Sequence, residues 1–238
     1  MNTLKEYFVP EWVSILFLIA IPFPVFLIAF LARKASPIAK KNKVFYSILG
    51  FFGVYMLYVT FGSLNGLFSR VFFPPIVLLY TTFPFAIFLF TVVINLAIFK
   101  TIFQNATLED MVKIHIFRLI GVFFVILAYY ETLPTFFALV AGFGDIISAI
   151  ASIFVAKAIK NNKPYAHRLT HIWNTFGLID IAFTAISAIV LTKISIDTGS
   201  MGVDTLARFP LCFIPAIAPP TIVFLHINIY RKLKIFYP

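Results

Sequence analysis

Two carboxylates, Asp145 and Asp180, stand inside runs that are otherwise almost wholly apolar: L-P-T-F-F-A-L-V-A-G-F-G-D at 133–145 and W-N-T-F-G-L-I-D at 173–180. Arg118, His226 and Asn174 keep similar company, and Asn95 lies in a third such run. Counted from the end of each run where Lys and Arg cluster, their depths are ~10 Å for Arg118, ~18 Å for Asp145, ~16 Å for Asp180 and ~8 Å for His226 at helical rise. An ionisable side chain near the centre of a bilayer costs on the order of 2.5–3.5 kcal/mol on insertion scales, so each one needs a physical reason. Carboxylates at such depth bind a proton, a cation or a polar substrate, or they clasp helices. A Ser or Asn clasps at lower cost, which favours the ligand role for Asp145 and Asp180.

Helical spacing sorts these residues onto faces. Thr170, Trp173, Asn174, Gly177, Asp180 and Thr184 form one row, and Ala141, Asp145, Ser148, Ser152 and Ala156 form another. Two rows of small and polar residues most simply face each other. Gly177 sits mid-row, where a second helix or a ligand can approach the backbone, and Gly142 and Gly144 offer the same beside Asp145. Side chains lean toward the N-terminus of their own helix, which brings Asp180 and His226 together and tilts Arg118 away from Asp145. Arg118 is retained as a counter-charge because its side chain is long. Trp173 reads first as an interfacial anchor and second as a wall of the site. His115 and His171 read as structural residues near the membrane edge, and His167 as solvated.

The elements that must carry these residues are transmembrane helices. Only 12% of the 238 residues are charged, 61% are apolar and the mean hydropathy is +1.00. A soluble chain of this size cannot hide so much apolar surface in one core. Seven runs, near 11–32, 44–64, 75–99, 111–133, 134–158, 169–194 and 209–230, each approach the ~20 residues that cross a bilayer as a helix. The expected fold is therefore an all-α, seven-span membrane bundle, one domain over residues 1–238, with its polar seam in spans four to seven (111–230). Asn105-Ala106-Thr107, then Glu109 and Asp110, is the start signal of span four.

The charge is topological. Net charge is +10, and 15 of the 19 Lys and Arg fall after spans one, three, five and seven; Lys5, Arg70, Lys193 and Arg208 fall on the other side. That bias predicts the N-terminus outside and the C-terminus inside. The head, MNTLKEYFVPEW, is not net basic, and the apolar run after it is too long for a signal core, so span one is expected to be an anchor. The sequon at Asn105 then lies on the cytoplasmic side and reads as chance. No basic face with interleaved aromatics occurs, so nucleic acid is not an expected partner. The expected partners are the lipid bilayer and a small polar ligand or ion, with a homo-oligomer or a partner subunit left open.

Span seven carries Pro215, Pro219 and Pro220, with Pro210 just before. Prolines inside a helix remove backbone bonds, so a kink or interruption is expected near 215–220, usable as a hinge and freeing carbonyls for ions, waters or neighbouring side chains. Pro22, Pro24 and Pro84 read as passive kinks. No cofactor and no metal site is expected. Cys212 is single and sits in an apolar run, no His-x3-His pair lies at depth, and the one axial pair for a haem, His115 and His226, has no further support. A retinal-type receptor needs a lysine deep in the last span, and none precedes Lys232.

The motifs R-L-I-G (118–121), L-P-T-F-F-A-L-V-A-G-F-G-D (133–145), W-N-T-F-G-L-I-D (173–180) and I-P-A-I-A-P-P…L-H (214–226) resemble the pattern of an uncharacterised family of small bacterial multi-pass inner-membrane proteins. The resemblance covers the second half of the chain; it implies a bacterial inner membrane and supplies no activity. From the residues themselves the first expectation is transport or ligand-linked signalling through Asp145, Asp180, His226 and Asn174. An intramembrane enzyme acting on a lipid or isoprenoid, with Asp180 and His226 as its acid–base pair, is the second. A structural subunit whose carboxylates only clasp helices is the third.

Overall fold

The structure is a computed structural model that describes residues 7–236; Lys5, assigned above to the less basic side, lies outside them. The chain is helical, and seven helices are long and apolar enough to cross a membrane. Span one is Glu11–Ala35, span two Ile38–Leu64, span three Leu78–Asn95, span four Leu108–Tyr129, span five Thr135–Lys160, span six Ala166–Thr198 and span seven Phe213–Ile235. These are the seven apolar runs of the sequence with shifted edges. Span six is the outlier: its 33 residues make roughly 50 Å of helix, well beyond the ~30 Å of a hydrocarbon layer. It stops at Gly199, whose φ of 71° and N–H bond to the Ser195 carbonyl (2.9 Å) form a left-handed cap.

The prolines act differently from expectation. Span seven is one uninterrupted α-helix from Phe213 to Phe236 with Pro219 and Pro220 inside it. Each of them deprives the carbonyl four residues earlier of its N–H donor. For Pro219 that carbonyl belongs to Pro215, and the Thr82 hydroxyl donates to it (2.6 Å). For Pro220 it belongs to Ala216, and the Tyr55 hydroxyl points its hydrogen between that carbonyl (3.2 Å) and the Thr81 carbonyl (3.0 Å). Pro215 itself falls in the first turn, where a backbone N–H has no helical partner to lose. The helix keeps its course because hydroxyls from spans two and three replace the missing donors, as helices in lipid require. Pro84 of span three repeats the device: the Tyr58 hydroxyl donates to the Tyr80 carbonyl (3.0 Å). The interruption lies instead in span one, where Ile21 separates the helices Glu11–Ala20 and Pro22–Ala35, with Pro22 opening the second.

Span four is built from three pieces. Thr107 caps its start, accepting the Asp110 N–H on Oγ1 (3.1 Å), and Lys34 from the end of span one pairs with Asp110 (2.7 Å). An α-turn at Leu108–Lys113 leads into a 3-10 helix, Ile114–Gly121, then an α-helix, Val122–Tyr129. In a 3-10 helix residues three apart eclipse one another. Accordingly Val112, His115, Arg118 and Gly121 are all buried in one row, while Lys113, Leu119 and Val122 of the opposite row are exposed.

Span five lies between spans four and six, and its Ala, Gly and Ser positions are the buried ones. The row predicted on it meets the row predicted on span six, although Thr184 at the end of the latter is only half-buried. Phe17, Phe123, Leu127, Phe137 and Phe213 pack one apolar core on the far side of the polar rows. Met111, Val155, Trp173, Ile229 and Leu233 pack another at the basic end. Spans two and three turn residues such as Val54, Leu57, Phe61 and Ile87 outward, an apolar surface that suits lipid rather than water.

Candidate functional site

Arg118 is the centre of the polar seam and is completely buried. Its Nε donates to Asp145 Oδ1 (2.7 Å) and its Nη2 donates to Asp180 Oδ2. Nη1 donates to the Gly177 carbonyl (3.3 Å) and toward His226 Nε2 (3.3 Å). One guanidinium from span four thus ties spans five, six and seven together. The fork of five donors on a planar group is what makes this reach possible. The expectation that Arg118 leans away from Asp145 is corrected. The 3-10 geometry rises about 2.0 Å per residue against 1.5 Å in an α-helix, which carries Arg118 deeper, and the row it creates points at span five.

His226 and Asn174 lock together. A guanidinium nitrogen is only a donor, so His226 Nε2 accepts and Nδ1 carries the hydrogen. Asn174 Oδ1 receives that hydrogen (2.7 Å), and Asn174 Nδ2 donates to the His226 carbonyl (3.1 Å). Asp180 and His226 do approach, yet no hydrogen bond joins them; Arg118 stands between and binds both. Trp173 faces the protein and not its surroundings. It is buried, donates Nε1–H to the Ser148 carbonyl (2.9 Å), and sets its ring 5.4 Å from that of His226.

His115, read from the sequence as a structural residue, lies deep beside the cluster. It is fully buried, its ring lies 4.3 Å from that of His226 and 5.0 Å from Trp173, and neither ring nitrogen has a hydrogen-bond partner. Its three-residue spacing from Arg118 puts the two on one face in either helix type, and the 3-10 geometry eclipses them. Asn95 takes no part: it is exposed and bonds the Thr91 carbonyl (2.8 Å). His167 and His171 meet edge to face at the start of span six, away from the cluster. Cys212 is buried beside Phe213 in the apolar core. Among the described residues no three of His, Cys, Asp and Glu gather as metal ligands would.

Glycines allow the helices to come this close. A Cβ on Gly177 would fall 2.6 Å from the His226 ring and 2.9 Å from Arg118 Nη1. One on Gly144 would overlap the Asp180 carboxylate, and one on Gly121 would overlap the Asp145 side chain. One on Gly142 would sit 2.9 Å from the Gly121 carbonyl. Gly142, Gly144 and Gly177 were legible as close-approach points; Gly121 completes the set from span four. Pro215, Pro219 and Pro220 do not line the cavity beside Arg118.

Counting charge gives the chemistry. One guanidinium faces two carboxylates, so with every group ionised the buried cluster carries one surplus negative charge. Beside it, a cavity of about 30 Å³ touches Arg118 and Asp145 but not Asp180. An arrangement of this kind can take up one positive charge.

No curated protein and no solved structure matches the chain. A family model does, over residues 74–234, a stretch that begins before span three and contains every member of the cluster. The chain therefore belongs to the family described as a domain of unknown function, DUF8737.

Proposed function

We propose that the chain is a multi-pass protein of the cell inner membrane whose Arg118 cluster binds a proton or a small cation, in the service of transport or ligand-linked signalling. The observation that carries this is the surplus: two buried carboxylates share one guanidinium, and a lone uncompensated charge at this depth is costly until a positive partner arrives. The orientation we infer is N-terminus out and C-terminus in. Arg118 belongs to the cluster and not to a loop, and without it the cations still divide 14 to 4. The inner-membrane location rests on the motif resemblance together with the seven apolar spans.

Proton or cation uptake by the purified protein, followed against pH and against added sodium or potassium, tests the reading. Uptake should fall in Asp145→Asn and in Asp180→Asn variants that still fold, since each removes the surplus negative charge. Full uptake in both variants would sink it. The helix-clasp reading has one observation in its favour, since each carboxylate is hydrogen-bonded to Arg118; it predicts no uptake in the unaltered protein. An intramembrane enzyme would need Asp180 and His226 in direct contact, a pairing that Arg118 occupies.

A further inference from the structure

The cavity beside Asp145 lies among Ile21 and Pro24 of span one, Arg118 of span four, Asp145 of span five, and Ile217 and Thr221 of span seven. Its volume of about 30 Å³ has room for one or two waters, since one water needs ~10–15 Å³ measured this way. Thr221, Asp145 and Arg118 are the polar residues in an otherwise apolar lining. Thr91, Thr170, Thr175 and Thr192 each return their hydroxyl to the carbonyl four residues back. Thr221 Oγ1, in a residue only 7% exposed, has no partner at all. A buried hydroxyl left in that state is costly unless water meets it.

The two carboxylates are not equivalent around this space. Asp180 is pressed against the Gly144 backbone on one oxygen and holds Arg118 with the other. Asp145 gives Oδ1 to Arg118 and borders the cavity. The choice of positive partner also follows. Hard metal cations such as calcium and magnesium gather about six or more oxygen ligands. Here only Asp145 and Thr221 bring side-chain oxygens, the guanidinium occupies the same wall, and the remaining lining is apolar. Water and a proton fit; a dehydrated metal ion does not.

Resting on the proposed function, we infer that this cavity is a water-holding proton site in which Asp145, and not Asp180, is the carboxylate that gains and loses the proton. Water bonded to Thr221 carries the proton in as hydronium. One O–H bond of the hydronium breaks and one forms on Asp145 Oδ2, leaving neutral water in the cavity. The cluster passes from one surplus negative charge to neutrality while Asp180 stays ionised against Arg118. The charged and titratable groups facing Asp145 are Arg118 on span four, Asp180 on span six, and His226 on span seven through Arg118. Span one presents none to the cavity. Its interruption at Ile21 lines the cavity.

Infrared difference spectroscopy on the full-length protein in lipid nanodiscs, stepping pH in sodium-free buffer, reads the carboxylic-acid C=O band. The band should titrate in the unaltered protein, vanish in Asp145→Asn and persist in Asp180→Asn. Thr221→Val should change the proton affinity by about 3- to 10-fold, the worth of one hydrogen bond. A band lost in Asp180→Asn and kept in Asp145→Asn overturns the assignment. If Asp145→Asn does not fold, Thr221→Val decides alone, because it removes no charge, and an unchanged midpoint overturns the inference. Sodium or potassium chloride titrating the site at constant pH would overturn the proton reading and leave the proposed function standing. No response to pH or to either salt removes both.

Discussion

Arg118 should be far less replaceable than either carboxylate it binds. Arg118→Met keeps most of the volume and removes the guanidinium, which leaves Asp145 and Asp180 buried with side chains only 12% and 7% exposed and no counter-charge. Stripping one partner from a buried ion pair costs roughly 3–5 kcal/mol, and here two carboxylates are stranded by one change. Asp145→Asn and Asp180→Asn act in the opposite sense. Each amide oxygen can still accept from Arg118, and each takes the cluster from one surplus negative charge to neutral. A charge-assisted bond weakens by about 1 kcal/mol on becoming neutral, and relief of the like-charge repulsion between the carboxylates offsets part of that. The single Asn variants should therefore sit within about 1 kcal/mol of the parent. The double variant Asp145→Asn/Asp180→Asn strands the guanidinium and should again lose roughly 3–5 kcal/mol. Unfolding from mixed micelles by increasing SDS fraction, followed by far-UV circular dichroism, measures all four. The reasoning is refuted if either single Asn variant costs as much as Arg118→Met, or if Arg118→Met is tolerated.

Three further outcomes follow from the geometry. Gly144→Ala should destabilise because its methyl overlaps the Asp180 carboxylate, whereas Gly53→Ala meets no atom within 4 Å and should stabilise by up to about 1 kcal/mol through helix propensity; SDS unfolding compares the pair. Tyr55→Phe leaves the Ala216 and Thr81 carbonyls without the donor they share and should cost about 1–3 kcal/mol. Pro220→Ala restores an N–H to the Ala216 carbonyl alone, so the double variant should recover part of the loss, and strictly additive effects would contradict the proline accounting. His115→Leu removes two unpartnered buried nitrogens and should raise the unfolding midpoint, by up to about 1–3 kcal/mol in stability; a large loss would mean that the imidazole has a partner in the folded protein.

The sequence by itself determined what depends on local period and composition. Seven apolar runs near the length of a bilayer crossing become seven helices because each satisfies its own backbone. Two rows at helical spacing become the facing surfaces of spans five and six, with Gly144 against Asp180, while Gly177 admits His226 of span seven and Arg118 of span four, because small residues at i and i+4 fall on one face. The Thr107 cap was legible for the same local reason. Tertiary structure decided everything that needed two elements at once. Nothing in HIFRLIG declares a 3-10 helix, yet that choice turns His115, Arg118 and Gly121 into a single row and sends Arg118 to both carboxylates. Pro219 and Pro220 read as a break until Thr82 and Tyr55, more than a hundred residues away, supply the missing donors. Trp173 reads as an interfacial anchor until its indole finds the Ser148 carbonyl. Helical period is written residue by residue along the chain; which donor meets which orphaned acceptor is decided only when the helices pack.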